Sequence, residues 1–591
     1  MTYDFVIRNG TVVDGLRLPR FRAGLAVKDG KIARIGRIPA GAGAKDYDAT
    51  GLIVAPGFVD LHTHYDAQLH WDPWCTSGSW HGVTTVVMGN CGFGFAPMNA
   101  ADRERSMLSM TRTEQISLEA MQAGMTIDWI TFPEYLDSLR RMPKGVNIAS
   151  YMPLNPLLIY VKGMEAAKAG TPTSPDQQRR MQALLHEAMD AGAIGFSLQR
   201  LGPKSAQADY DGTPMPTDLM SDEDIYALCD VLRERDQGLV QITHGDRPPF
   251  DKDYARHITE QVAARSGRPV IWTAIAAFQD ADPEIARDLQ RWIHDCNRRG
   301  LRVVGQGHVN RQFTDFSLMQ WSLFDAMDSW NYCTQGDKAE RMRRMNEPGM
   351  RDRLREESDS YFGAIQPGAE PGGLVSRYTV GSVGDHPELK AYEGRTIQDV
   401  ALERGEHPVD TFCELALASD FDLLIRSWQF AVTEDAAEVA NLMNDPYILP
   451  GASDGGAHTK FFNSSSYPTE FLSWLVREKQ LVSYEEAHYH LSYLPAQMLG
   501  ISDRGALREG APADIVVYDP EQLERVPKWQ YEVLHDQPAN DWRRVQRAIG
   551  YRWTFVNGQL IFTDGECSGT TPGELLTLAA PIESVEALAA E

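Results

Sequence analysis

The sequence predicts an α/β protein: a TIM-like (β/α)8 barrel carrying a small β-sandwich built from both chain ends. Three observations predict it. Eight short apolar runs of strand length lie between residues 57 and 455, and amphipathic helical patterns separate several of them. Runs of β type with Asn-Gly or Asp-Gly turns stand at both ends of the chain. Histidine, cysteine and aspartate fall where apolar runs stop, which is where a barrel builds its sites.

Taken in order, "DFVIRNGTVVDG" reads as strand, Asn-Gly turn and strand, and "GLAVKDGKIARIG" repeats the plan around Asp29-Gly30. The far end echoes it in "ADIVVYDP" (513–520) and in "TFVNGQLIFTDG" (554–565), which turns at Asn557-Gly558. Neither set makes a complete core alone. Residues 1–55 and 505–565 are therefore assigned to one small domain, 56–504 to the barrel and 566–591 to a tail. The barrel runs are "GFVDLH", "TTVVMGN", "VNIASYMP", "AIGFSLQ", "LVQITHG", "PVIWTAI", "LRVVGQG" and "YILPGASDG". One helix is expected from Ser174 as N-cap and Pro175 to Gly192, another from Ser221 to Gly238. Residues from about 308 to 446 are too many for a plain crossover, and an insertion there is a candidate cover for a site.

Composition narrows the function. The 591 residues are 43% hydrophobic, enough for a substantial core, and 57 basic against 82 acidic side chains give a net charge of −25. That balance argues against nucleic-acid and anionic-membrane partners. No apolar run reaches 18 residues, and the N-terminus lacks a secretory pattern. Seven scattered cysteines without a CxxC pair fit reduced thiols in a cytoplasm.

Five side chains stand at the strand ends. "GFVDLHTHYDAQ" ends its apolar run on His62 and His64; positions i and i+2 of a strand share a face, so the two imidazoles project together. The second run leads to Cys91, the fifth to His244 and the eighth to Asp454. A lone histidine there serves as well in hydrogen-bonding loop backbone, and a lone cysteine in packing. Together they offer the imidazole, thiolate and carboxylate donors that zinc takes.

With these motifs the chain resembles the amidohydrolase superfamily, and within it the D-aminoacylase (N-acyl-D-amino-acid deacylase) branch. The matching segments are "APGFVDLHTHYD", "HGVTTVVMGNCGFGFAP", "ITHGD", "GASDGG", "REGAPADIVVYDP" and "FVNG", which span almost the whole chain. "GNCGFGFAP" is the most branch-specific. Other amidohydrolases usually place a carboxylated lysine or a glutamate on the fourth strand, where this chain reads "GFSLQR". The resemblance implies that His62, His64 and Asp454 hold one zinc, and that Cys91 and His244 hold a second, with Cys91 shared. It implies Asp454 as the catalytic base, taking a proton from water and passing it to the leaving amine. The implied substrate is a small-molecule amide, an N-acyl amino acid or a relative of one. A homo-oligomer fits the habit of the family.

The chain also departs from the branch. The sixth strand should bring a histidine followed closely by a lysine; "VIWTAIAAFQD" brings neither. One zinc per chain is therefore expected rather than two. The other courses are a substitute ligand, with His308 the first candidate, and loss of the metal. After Asp454, His458 and Lys460 replace a His-Pro-Arg-like motif, which alters carboxylate recognition. Trp272, His308, His458 and Lys460 are the candidate substrate contacts, and Trp272, Phe278, Phe461 and Phe462 favour a bulkier or more apolar substrate. Two rival readings stand beside this one. The chain could hydrolyse another C–N bond, in a cyclic ureide or an N-substituted formamide, or it could be a non-catalytic amidohydrolase-like binding protein. Retention of His62, His64 and Asp454 together speaks against the last.

Overall fold

The computed structural model describes residues 2–245, 251–279, 281–320, 324–365, 369–428, 431–461 and 464–578; Phe462 and the tail beyond 578 lie outside them. Eight parallel strands close on themselves. They are β1 (Phe58–Asp60, continued by His62–Thr63), β2 (Val83–Met88), β3 (Asn147–Ser150, continued by Met152–Pro153), β4 (Gly195–Arg200), β5 (Leu239–His244), β6 (Val270–Ile275), β7 (Val303–Gly307) and β8 (Ile448–Pro450, continued by Ala452–Gly455). Pairing follows chain order, and Ala452 opposite His62 closes the ring. Alternation along the strands divides their side chains. Val59, Val87, Leu239, Ile271, Val304 and Leu449 pack together inside. Val240, Ile242, Val270 and Trp272 face the outer layer of helices.

The helices that bear on the site are α1 (Arg103–Arg112), α2 (Phe132–Arg141), α3 (Pro175–Ala191), α4 (Asp222–Arg235), α5 (Lys252–Ser266), α6 (Pro283–Arg298) and α7 (Ala436–Met443). The start of α3 follows from its sequence: the Ser174 side chain accepts from Gln177 N, Pro175 opens the first turn, and Gly192 ends the helix at φ 113°. The start of α4 at Ser221 is as expected, but the helix stops on Asp236 at φ 47°, before Gly238. Among the described residues no helix is long and apolar enough to cross a membrane.

Both chain ends enter one nine-stranded sheet. Ile515–Tyr518 pairs with Ile53–Pro56 on one side and with Tyr551–Val556 on the other. Phe5 lies three strands from Phe555 in the order of that sheet, about 14 Å if it were flat. Their rings nevertheless stack at 4.7 Å, so the sheet folds over a shared core. Asp29-Gly30 and Asn557-Gly558 turn hairpins with all four residues at positive φ. Asn9-Gly10 does not. It forms an irregularity inside one strand, Phe5–Val12, because both sides of it keep pairing with the same neighbour.

Two additions reach the mouth of the barrel. The insertion between β7 and β8 has its own three-stranded sheet and its own core around Phe316, Trp330, Tyr378 and Phe412. Residues 524–549 form two nested antiparallel pairs, Glu524–Val526 with Arg547–Ile549 enclosing Glu532–Gln537 with Asp541–Val545. They dock on the loop after β8, where Arg544 N donates to Thr459 O at 2.8 Å. At the opposite end of the barrel, residues 573–576 run beside β3, with Leu576 N donating to Ile148 O at 2.7 Å.

Candidate metal centre

The centre lies where β1, β2 and β8 end. His62 and His64 follow the last apolar residues of β1 and are both 1% exposed. Cys91 sits in a short turn after β2 at φ 57°, between Gly89 and Gly92, which are also at positive φ. Asp454, at φ 48° in β8, keeps 21% of its side chain exposed. One nitrogen of each imidazole and Cys91 Sγ lie within 4.8 Å of one another.

His62, His64 and Cys91 fit a single cation, and Asp454 stands against the two imidazoles outside that set of three. Two donors about 2.0–2.3 Å from a common tetrahedral centre stand about 3.3–3.7 Å apart. Here Cys91 Sγ is 3.2 Å from His62 Nε2 and 3.9 Å from His64 Nε2. Asp454 Oδ1 is 3.1 Å and 3.6 Å from the same two nitrogens. The His62 tautomer is also set: its Nδ1 donates to Gln306 Oε1 at 2.8 Å, which leaves the Nε2 lone pair free to face the cluster. The turn holding Cys91 is fixed by its N–H donating to Gln241 Oε1 at 2.7 Å, and Thr243 Oγ1 donates to Sγ at 3.1 Å. Gln241 and Gln306, absent from the sequence reading, carry a signal of their own: each is an amide buried within a strand.

Electrostatics follow from this crowding. Burial alone would depress His62, but the Cys91 thiolate and the Asp454 carboxylate outweigh it and raise it to about 10. Burial likewise opposes ionisation of Cys91, yet His62 and His64 pull the thiol below its usual range. Asp454 is held well below the usual carboxylate range, because His62 and His64 override its burial.

Other candidates lie elsewhere. His244 does not join the group. Strand alternation turns Thr243 inward and His244 outward, where His244 Nε2 donates to Thr259 Oγ1 of α5 at 2.9 Å, the Thr259 hydroxyl itself donating to Ala255 O. Its ring lies 4.6 Å from that of Trp272, and burial, then the Arg200 charge, hold it down at about 3. Trp272 is also outward, 1% exposed, packed edge-on against Trp292 of α6 at 5.1 Å, so it is no substrate contact. Lys460 is committed to Asp541 Oδ1 and Trp542 O and is not free for a substrate carboxylate. His458 stays close: Nδ1 donates to Thr113 O at 2.7 Å, and Nε2 stands 3.9 Å from Asp454 Oδ2. His308 feels both Asp454 and His62, but burial dominates and lowers it to about 4. It does not belong to the donor group.

The pattern of one family, the amidohydrolases, matches residues 46–562. An N-acyl-D-aspartate deacylase of Alcaligenes xylosoxydans xylosoxydans is 26% identical, the alignment covering 97% of this chain and 95% of that one. The crystal structure of N-acyl-D-glutamate deacylase from Bordetella bronchiseptica, complexed with zinc and a phosphonate inhibitor, superposes with a TM-score of 0.66 at 23% identity; 98% of this chain and all of that one are covered. A D-aminoacylase, described by one-metal activation and second-metal attenuation of its binuclear centre, gives 0.66 at 22% identity, over 97% of this chain and 100% of that one. The chain belongs to the amidohydrolase family, on its D-aminoacylase branch.

Proposed function

We propose that this protein is a metal-dependent hydrolase of a C–N amide bond, and that its substrate is an N-acyl amino acid or a closely related N-acyl compound. The observation that carries the reading is the buried cluster of His62, His64 and Cys91, with Asp454 Oδ1 3.1 Å and 3.6 Å from the two imidazole nitrogens. These four would hold one zinc. Zinc in such a site supplies a Lewis acid for the scissile carbonyl and lowers the pKa of water. His62, His64 and Cys91 give up their protons to accept the cation, so uptake strengthens as pH rises. Asp454 is the most exposed of the four and the one a substrate can reach. It takes the proton of the attacking water at a carboxylate oxygen and delivers it to the leaving nitrogen. His458, 3.9 Å from the other oxygen, steadies that carboxylate.

Two measurements test this together. Protein purified without chelator should retain about one zinc per chain and release free amine from a panel of N-acyl amino acids. No retained metal and no amide hydrolysis would overturn the reading, and two tightly held equivalents would overturn the single-ion arrangement.

A further inference from the structure

Glu114 lies in the segment after α1, outside any strand end, and is 2% exposed. Its Oε1 stands 3.9 Å from His64 Nδ1. Its other oxygen, Oε2, is buried without a hydrogen-bond partner, and so is His64 Nδ1. A buried carboxylate beside a buried, unpartnered imidazole nitrogen is costly unless the two serve each other.

The segment is also held firmly. Thr113 O accepts from His458 Nδ1 at 2.7 Å, and Gln115 O accepts from Thr459 Oγ1 at 2.9 Å. Two residues back, Arg112 Nε donates to Asp325 Oδ2 of the insertion at 2.7 Å. These bonds brace the residues flanking Glu114 from the loop after β8 and from the insertion.

We propose that Glu114 is a positioning residue for the metal centre, the acceptor that holds the His64 Nδ1 proton and so turns the Nε2 lone pair toward the cation. The proposal rests on the single-zinc reading given above. Within it the two histidines are backed differently: Gln306, a neutral amide, serves His62, and Glu114, a carboxylate, serves His64. A carboxylate acceptor makes the imidazole a stronger donor than an amide does. Glu114 itself is not a ligand, since His64 stands between it and the other donors. At 3.9 Å the pair is not yet hydrogen-bonded, and the proposed bond requires the two groups to approach by about 1 Å.

The test is zinc affinity of the full chain, measured by competition with a chromophoric chelator, for the unaltered protein, Glu114→Gln and Glu114→Ala. Both variants should bind zinc about 10–100-fold more weakly, the usual range for loss of a carboxylate behind a metal-bound histidine. The melting temperature of the metal-free protein should stay close to the parent's for Glu114→Gln. Unchanged zinc affinity would overturn the proposal, and a lowered metal-free melting temperature with unchanged affinity would assign Glu114 to the fold alone. If the unaltered protein binds no zinc, the underlying metal reading fails instead. A second measurement needs no variant of Glu114: nitrogen-15 spectra of the zinc-loaded, histidine-labelled protein, with the His64 signals assigned through His64→Asn. These should show Nδ1 of His64 protonated and hydrogen-bonded. An unprotonated Nδ1 would overturn the proposal.

Discussion

The two sides of the barrel mouth share one geometry and carry opposite chemistry. On β1, β2 and β8 the groups are His62, His64, Cys91 and Asp454, each able to exchange a proton. On β4 to β7 the inward groups are Ser197, Gln199, Gln241, Thr243, Thr273 and Gln306, all neutral amides and hydroxyls, all buried. Neutral groups of this kind make weak zinc ligands and good hydrogen-bond partners. They are used that way. Gln306 accepts from His62 and from Thr273, and Gln241 donates to Thr243 and Thr273 while holding the Cys91 backbone. One side is built to take a cation, and the other to aim the ligands. That division, as much as the missing sixth-strand histidine, is the ground on which a single ion is proposed here.

The largest effect expected belongs to the charged side. Asp454→Asn should keep most of the zinc and lose roughly 10²–10⁴-fold in kcat, the range for removal of a general acid–base group. Near-normal turnover would take Asp454 out of the chemistry. Next come changes on either side of the boundary. Cys91→Ser should lower zinc affinity and activity together while the metal-free melting temperature stays near the parent's. Gln306→Leu, on the neutral side, should cost about 10–100-fold in zinc affinity. An unaltered affinity in Gln306→Leu would show that the neutral side does not aim the ligands at all.

A smaller effect sharpens the contrast through histidines far from the mouth. His81 lies between Thr469 Oγ1 and Gln546 O, and burial holds it at about 4. His488, beside the Tyr518 hydroxyl, is held by burial at about 3. Both are neutral when folded and titrate near 6.5 when unfolded. The unfolded chain therefore binds more protons between those values, and stability present above pH 6.5 is lost as pH falls toward 4. The melting temperature should decline steadily across that interval; a flat profile would mean that these imidazoles are not buried neutral. The smallest effect is expected for His244→Asn. It should leave zinc affinity unchanged and lower the melting temperature by a few degrees, through loss of the Thr259 bond. Loss of zinc would bring His244 into the donor set and erase the boundary between the two sides.

The sequence exposes what is local and periodic. Apolar runs reveal the strands, and the two-residue spacing of His62 and His64 puts them on one face whichever way the strand lies. His244 shows the limit. A run such as "LVQITHG" fixes a strand without fixing which alternate set points inward, and a one-residue change of phase swaps Thr243 for His244. Gln241 was the available clue, because an amide buried in mid-strand marks the face where polar partners wait. Lys460 was misread for another reason: its partner Asp541 lies 81 residues away in a hairpin that no periodic pattern announces. Glu114 sits in irregular backbone, where sequence carries no face at all. The asparagine of Asn9-Gly10 suits a bulge as well as a turn, and only the neighbouring strand decides between them.

The pairing of Ile53–Pro56 with Ile515–Tyr518 has a consequence for how the chain is made. Translation proceeds from the N-terminus, so Ile53–Pro56 leaves the ribosome about 460 residues before the strand that covers its free edge. At about 5–20 residues per second, that edge waits roughly 20–90 seconds. All four of its residues are buried in the finished protein, and an apolar edge left open for so long is a template for pairing with other nascent chains. Synthesis in a heterologous host should therefore yield more soluble protein when initiation is slowed, as by a weaker promoter, so that fewer unfinished copies coexist.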